Sequence, residues 1–123
     1  ILCVDRIEPN LGFWIDRLGF KKLSEVPSAS GDLDFVILEK DNLEVMIQTR
    51  RSIQNDLPKG MSIEDFKGNT TVQYLEVDSL DEVLRGLHGV PLAMEPTDRP
   101  YGMREIMVRD PSGYLIEFAQ SIK

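Results

Sequence analysis

The chain has 123 residues, 41% hydrophobic and 28% charged, with 21 acidic side chains against 14 Lys and Arg and a formal net charge of −7 at pH 7. That length suits one domain with a core of its own. The acidic balance argues against nucleic acid, whose binding rests on basic groups neutralising phosphates. No apolar run approaches the length of a membrane helix and no secretory leader pattern is visible. Cys3 is the single cysteine, so no intrachain disulfide or cysteine-rich zinc cluster is expected, and the setting expected is reducing and cytoplasmic. The sequence opens on Ile1 inside an apolar run, so further N-terminal residues are expected before it.

Residues 1–4 read as a short strand ended by Asp5. Asp5 and the Glu8-Pro9 pair signal a helix start, because Pro is tolerated and acids are favoured in the first turn. Leu11, Trp14, Ile15 and Leu18 then recur at helical spacing, and Gly19 stops the helix. Strands follow over residues 20–26, 33–39 and 43–49. Asp41-Asn42 makes a tight hairpin turn between the last two, since both residues tolerate the left-handed region. Residues 50–70 break the pattern with Pro58, Gly60 and Gly68 among charged and amide residues. They predict a long connection with one short helical turn at 62–66, and connections of this length commonly cover a site or join modules. Arg50-Arg51 reads as solvated charge at a loop or strand end.

The opening pattern then recurs. Residues 71–77 form a strand, Asp78-Ser79 starts a helix through Leu80, Val83, Leu84 and Leu87, and Gly89 ends it. Strands follow at 91–95, 104–109 and 114–120. Asp110-Pro111-Ser112-Gly113 is the turn between the last two: Pro pre-sets its φ, Asp caps the following amides and Gly supplies a positive φ. Strand, helix and three strands are thus written twice. Asp5 aligns with Asp78, and Leu43-Glu44-Val45-Met46-Ile47-Gln48 falls on Tyr114-Leu115-Ile116-Glu117-Phe118-Ala119. The expected fold is α+β: one domain, residues 1–123, of two βαβββ modules at 1–49 and 71–123, joined by the connection at 50–70. Their curved mixed sheets are expected to enclose a cavity.

Leu18-Gly19-Phe20 after the first helix, and the run from Arg109 through Asp110-Pro111-Ser112-Gly113 to Phe118, resemble the vicinal oxygen chelate superfamily. That group includes glyoxalase I, extradiol dioxygenases and fosfomycin- and bleomycin-resistance proteins. The resemblance covers the whole chain, and Pro100-Tyr101-Gly102-Met103-Arg104-Glu105 is closest to the bleomycin-resistance branch. These motifs specify a fold that hosts many chemistries. The resemblance implies a divalent ion held by His or Glu on the first and fourth strands of each module. Glu117 is the only matching ligand position. Its counterpart in the first module is Met46, a poor ligand for such an ion, and the position expected to carry His in the second module is Val72. The fourth position falls before Ile1. Glu44 or Gln48 would reach Met46's place only by a shift of register. No metal site and no catalytic residue are therefore expected.

His88, the one histidine, sits at a helix end where its charge suits the dipole. It offers no nucleophile–base pair, and Cys3 reads as a small buried hydrophobe. Strand alternation gives a cavity-facing list of Met46, Gln48 (or Glu44), Val72, Tyr74, Leu115 and Glu117, with Tyr101 and Arg104 at the mouth. A mixed surface of this kind suits a small-molecule pocket. The plainer alternative is that Met46, Val72 and Leu115 fill a core while Glu117 pairs with Arg104 or a neighbouring Arg; a buried carboxylate must have some partner. The leading expectation is a metal-free small-molecule binding protein of the bleomycin-resistance kind, sequestering a drug-like compound. The acidic surface suits a cationic one. A homodimer is implied by the resemblance alone. The competing expectation is a metal-dependent lyase, isomerase or dioxygenase with Glu117 as ligand or base.

Overall fold

The computed structural model describes residues 1–65 and 72–123. The chain divides into two compact units, Ile1–Gly68 and Asn69–Lys123. Both are built on one plan, a four-stranded mixed sheet.

In the first unit the strands are β1 (Leu2–Val4), β2 (Lys21–Pro27), β3 (Leu33–Lys40) and β4 (Leu43–Thr49), in the spatial order β1-β4-β3-β2. β1 runs parallel to β4 and the other pairs are antiparallel. The first helix, α1 (Glu8–Leu11), carries Pro in its first turn and runs on into a wider π-type stretch, Gly12–Arg17. There the Leu18 amide donates to the Phe13 carbonyl, five residues back, at 3.2 Å. The widened turn brings Phe13 and Trp14 into the core together. Trp14 meets Phe13 and Phe20 edge to face, with ring centroids 5.4 and 5.3 Å apart. Gly19, at φ +81°, ends the helix, and the Lys40 ammonium donates to the Leu18 carbonyl at 2.6 Å. Leu2, Val4, Ile7, Val36, Leu38 and Ile47 complete this core. The hairpin between β3 and β4 turns on Asp41 and Asn42 at φ 48° and 70°, the left-handed pair that a two-residue turn requires.

The stretch expected to be a mostly irregular connection starts with a helix. α2 (Arg50–Asp56) follows β4 directly, and the Thr49 hydroxyl caps it by accepting from the Ser52 amide at 3.2 Å. Arg50 and Arg51 therefore open a helix. Arg51 pairs with Asp34 at 2.7 Å, and Asp34 also accepts from the Thr49 hydroxyl. The expected turn at 62–66 is a single 3-10 turn at Ile63–Asp65; Phe66, and Thr71 at the expected start of the next strand, lie outside the described residues.

The second unit repeats the plan. Its strands are β5 (Val72–Glu76), β6 (Leu92–Arg99), β7 (Met103–Arg109) and β8 (Leu115–Ser121), in the order β5-β8-β7-β6, with β5 parallel to β8. α3 (Leu80–Gly86) is capped by Ser79, whose hydroxyl accepts from the Glu82 amide at 3.2 Å. Leu80 and Val83 of α3, with Leu87 just beyond it, are buried, as are Ile106, Val108, Ile116 and Phe118 on one face of the sheet. β6 runs four residues past its expected end. It does so at a sheet edge, where Pro96 costs no ladder bond, and its register with β7 shifts between Met94 and Thr97. The β7–β8 turn behaves as its residues dictate. The Asp110 carboxylate accepts from the Ser112 and Tyr114 amides at 3.0 and 2.9 Å, and Gly113 sits at φ +88°.

Candidate functional site

Glu117 lies on the face of β8 opposite the buried Ile116 and Phe118. Tyr74 of β5 is its direct neighbour on one side and Met107 of β7 on the other. Glu105 pairs with Ala119, two residues along β8 from Glu117, so the two glutamates are diagonal neighbours on one face, within reach of long side chains. Both are buried, Glu105 completely. The end of β6 adds Arg99. The tight turn Arg99-Pro100-Tyr101-Gly102, closed by the Gly102 amide on the Arg99 carbonyl at 3.1 Å, adds Tyr101.

Three donors converge on the Glu105 carboxylate. Arg99 Nε donates to Oε1 at 2.8 Å and the Tyr74 hydroxyl to Oε2 at 2.9 Å. The Tyr101 hydroxyl lies 3.0 and 2.8 Å from the two oxygens. Arg99 Nη2 also reaches Met94 Sδ at 3.3 Å and stands 3.8 Å from Glu117 Oε2, an ion pair longer than a hydrogen bond.

The electrostatics follow from this geometry. Burial pushes Glu105 toward its neutral form, but the donors Arg99, Tyr101 and Tyr74 outweigh it and hold the carboxyl below its ordinary range. Glu117 moves the other way: burial, then the neighbouring Glu105 carboxylate, raise it, with Arg99 opposing only in part. Burial of its hydroxyl end and the hydrogen bond to Glu105 push Tyr74 up to about 12. The same carboxylate, with desolvation behind it, raises Tyr101. The two rings nevertheless remain about half exposed, at 48% for Tyr74 and 54% for Tyr101. The result is a buried charged floor beneath two exposed rings whose hydroxyls are pinned in place.

Of the residues expected at the site, the structure brings Tyr74, Tyr101 and Glu117 together. Val72 and Leu115 lie on the same face, paired with each other one pleat along, Val72 exposed and Leu115 half-buried. Arg104 is not part of the group. It alternates with Glu105, shares its side of the sheet with Ile106 and Val108, and closes a two-bond pair with Asp98 at 2.6 and 3.1 Å. The arginine beside Glu117 is Arg99. In the first unit, Met46 directly precedes the buried Ile47 as Glu117 precedes Phe118, and it is half-buried opposite Ile37. Gln48 is buried and spends its amide on α2, donating to Ser52 Oγ at 2.9 Å and Asp56 Oδ2 at 2.8 Å.

Glu105 and Arg99 are the two participants that sequence reasoning missed. The signal for Glu105 was present: once Ile106 and Val108 face the core, residue 105 must share the face of Glu117. Arg99 carried no such signal, because β6 was expected to stop at residue 95. A concavity of about 180 Å³ opens in the first unit between Asp5, Glu8, Asp32, Leu33 and Arg51. It is smaller than the range typical of drug-sized ligand pockets.

The family model described as the Glyoxalase/Bleomycin resistance protein/Dioxygenase superfamily matches residues 1–118. No curated protein matches the chain. Solved structures share the fold at low identity. TioX from Micromonospora sp. ML1 is 22% identical, with 98% of this chain and 94% of that one covered at a TM-score of 0.69. TnmS3 from Streptomyces sp. CB03234, described as an antibiotic binding protein, is 19% identical, with 98% and 90% covered at 0.67. A lactoylglutathione lyase from Agrobacterium tumefaciens is 16% identical, with 97% and 88% covered at 0.72.

Proposed function

Because the chain belongs to the glyoxalase/bleomycin resistance protein/dioxygenase superfamily, we propose that it is a small-molecule binding protein, working without a metal and sequestering a cationic, drug-like compound on the face that carries Tyr74, Tyr101 and Glu117. The observation that carries this reading is the pair of half-exposed tyrosine rings held by one buried carboxylate. Rings fixed in this way offer contact area at little ordering cost to an incoming ligand, and their faces attract cations. The antibiotic-binding description of TnmS3, a protein of the same fold, supports it further.

The donor set speaks for the metal-free form. Glu117 shares its face with Glu105 and has a guanidinium beside it, Val72 and Met46 are apolar, and among the described residues no three His, Cys, Asp or Glu side chains gather in a metal-holding group. A divalent ion needs three or four protein ligands, and these residues do not fit one. No helix among the described residues is long and apolar enough to cross a membrane; a cytoplasmic homodimer completes the proposal, and sedimentation velocity checks the dimer.

Calorimetric titration with a panel of cationic antibiotics is expected to find binding below the millimolar range, and Tyr74→Ala to weaken it about five- to tenfold, the equivalent of roughly 1–1.4 kcal/mol of lost ring contact. A panel without a binder would refute the reading. So would stoichiometric zinc, nickel, manganese or iron surviving dialysis of the purified full-length protein.

A further inference from the structure

The floor beneath the tyrosine rings holds a donor and an acceptor that stand side by side without satisfying each other. Arg99 Nε is spent on Glu105 Oε1 at 2.8 Å, and Nη2 reaches only the Met94 thioether at 3.3 Å, a weak acceptor. A guanidinium carries five N–H groups, and Arg99 Nη1 enters no hydrogen bond among the described residues. Glu117 Oε2 faces Nη2 across 3.8 Å, too far for a hydrogen bond. A carboxyl group remains an acceptor in either protonation state. The Glu117 side chain is 12% exposed and that of Arg99 32%, so the acceptor is largely desolvated while the donor is reached from solvent.

The surroundings suit a flat ligand. Met94, Met107, Glu117 and Tyr74 are successive cross-strand neighbours over β6, β7, β8 and β5. Glu117 is thus one carboxyl in a row of two thioethers and a phenol ring. With neighbouring strands about 4.8 Å apart, the row runs about 14 Å. Thioethers adapt to aromatic rings and attract them, and a hydrogen bond made among apolar neighbours is stronger than one made in water.

These facts select the group that fits. An acceptor-only group such as a carboxylate would meet Glu117 as well as Arg99, and a donor-only group such as an ammonium would meet Arg99 as well as Glu117. An amide carries a C=O and an N–H side by side in one plane. We propose that Arg99 and Glu117 read the edge of an amide, a primary carboxamide or a ring lactam, on an aromatic ligand. An Arg99 N–H donates to the amide oxygen, and the amide N–H donates to Glu117. This rests on the small-molecule reading above and names the group by which the compound is held; its cationic part is left to the tyrosine rings.

Carbostyril, a two-ring aromatic lactam, is the probe. Two matched controls accompany it: N-methylcarbostyril keeps the carbonyl and loses the N–H, and quinoline keeps the rings and loses the carbonyl. Each is titrated into the full-length protein, and backbone and arginine Nε–H resonances read the affinity by NMR. Carbostyril is expected to shift the resonances of β7, β8 and Arg99. Each control is expected to bind about tenfold more weakly, because it leaves a polar group of the site unpaired. Glu117→Gln retains a carbonyl oxygen and is expected to bind carbostyril within about threefold of wild type, whereas Glu117→Leu, without an acceptor, is expected to lose about tenfold. N-methylcarbostyril binding as tightly as its parent would show ring contact alone and overturn the amide edge. So would a loss for Glu117→Gln as large as that for Glu117→Leu, which assigns the binding to charge. Failure of carbostyril, with an antibiotic of the panel still binding, overturns the amide edge and leaves the small-molecule reading intact. Failure of every probe removes both.

Discussion

Glu105→Ala is expected to destabilise the protein by roughly 2–4 kcal/mol and to abolish measurable ligand binding. Its carboxylate is fully buried and satisfies Arg99, Tyr74 and Tyr101 at once. Removing one partner of a buried charged pair typically costs about 3–5 kcal/mol. The loss here is set lower because the Arg99 side chain is about a third exposed, at 32%, and can recover water. Urea denaturation gives the stability change, and an unchanged midpoint would show that the cluster is ornamental. A second measurement separates organisation of the site from mere packing. Tyr74 titrates at about 12 partly because its hydroxyl donates to Glu105, so its spectrophotometric titration should move back toward the ordinary phenol value in the variant. The pH dependence has a definite sign. Glu105 has a lowered folded-state pKa, so its contribution is present above the ordinary glutamate value of about 4.3 and is lost as pH falls through the depressed one. The stability gap between wild type and variant should therefore narrow only in acid.

Trp14→Ala is expected to cost about 3–5 kcal/mol, the range for removing a buried aromatic side chain. Trp14 is 1% exposed and is gripped edge to face by Phe13 and Phe20. Trp14→Phe makes the informative contrast. The indole Nε1 is buried and meets no hydrogen-bond partner among the described residues, so phenylalanine removes a desolvated donor while shrinking the ring. A loss of about 1–2 kcal/mol is expected for that change, with the cavity cost partly offset by the donor's removal. Denaturation followed by far-ultraviolet circular dichroism measures both variants, since the chain has only this one tryptophan. Equal losses for Ala and Phe would mean that the indole nitrogen, not the ring packing, holds the position.

The parts of the fold that were legible in the sequence are those decided by local chemistry. Asp41-Asn42 at a hairpin, Ser79 ahead of α3 and Asp110-Pro111-Ser112-Gly113 before β8 each do what their side chains favour in isolation. The doubled order of elements emerged because these local signals recur. The parts that were not legible depend on contacts distant in sequence. α2 begins immediately after a strand, and Thr49 serves as the last residue of β4 and the cap of the helix, so alternation concealed the change of period. β6 continues through Pro96 only because it lies at a sheet edge.

The same division runs through the site. Tyr74 and Glu117 follow from strand alternation, and Tyr101 was expected beside them at the cavity mouth. Placing Arg104 beside Glu117 contradicted the alternation that sent Ile106 and Val108 to the core; the pairing of Arg104 with Asp98 is what that alternation requires. Arg99 reaches Glu105 across the end of the β6–β7 hairpin, and the six residues separating them in sequence reveal nothing without the strand extension.

The spacing of these hydrogen bonds also sets an order of assembly. Arg99 and Tyr101 lie six and four residues from Glu105, inside one hairpin, whereas Tyr74 lies 31 away on a strand that must dock in parallel against β8. Short loops close early and at small entropic cost, and parallel pairings close late. A nascent chain would thus complete the arginine and first tyrosine of the cluster before the second tyrosine arrives, and the competence to bind would appear in the last step of the second unit's folding. A ligand that needs both rings would accordingly recognise only the finished sheet, and would hold β5 on it.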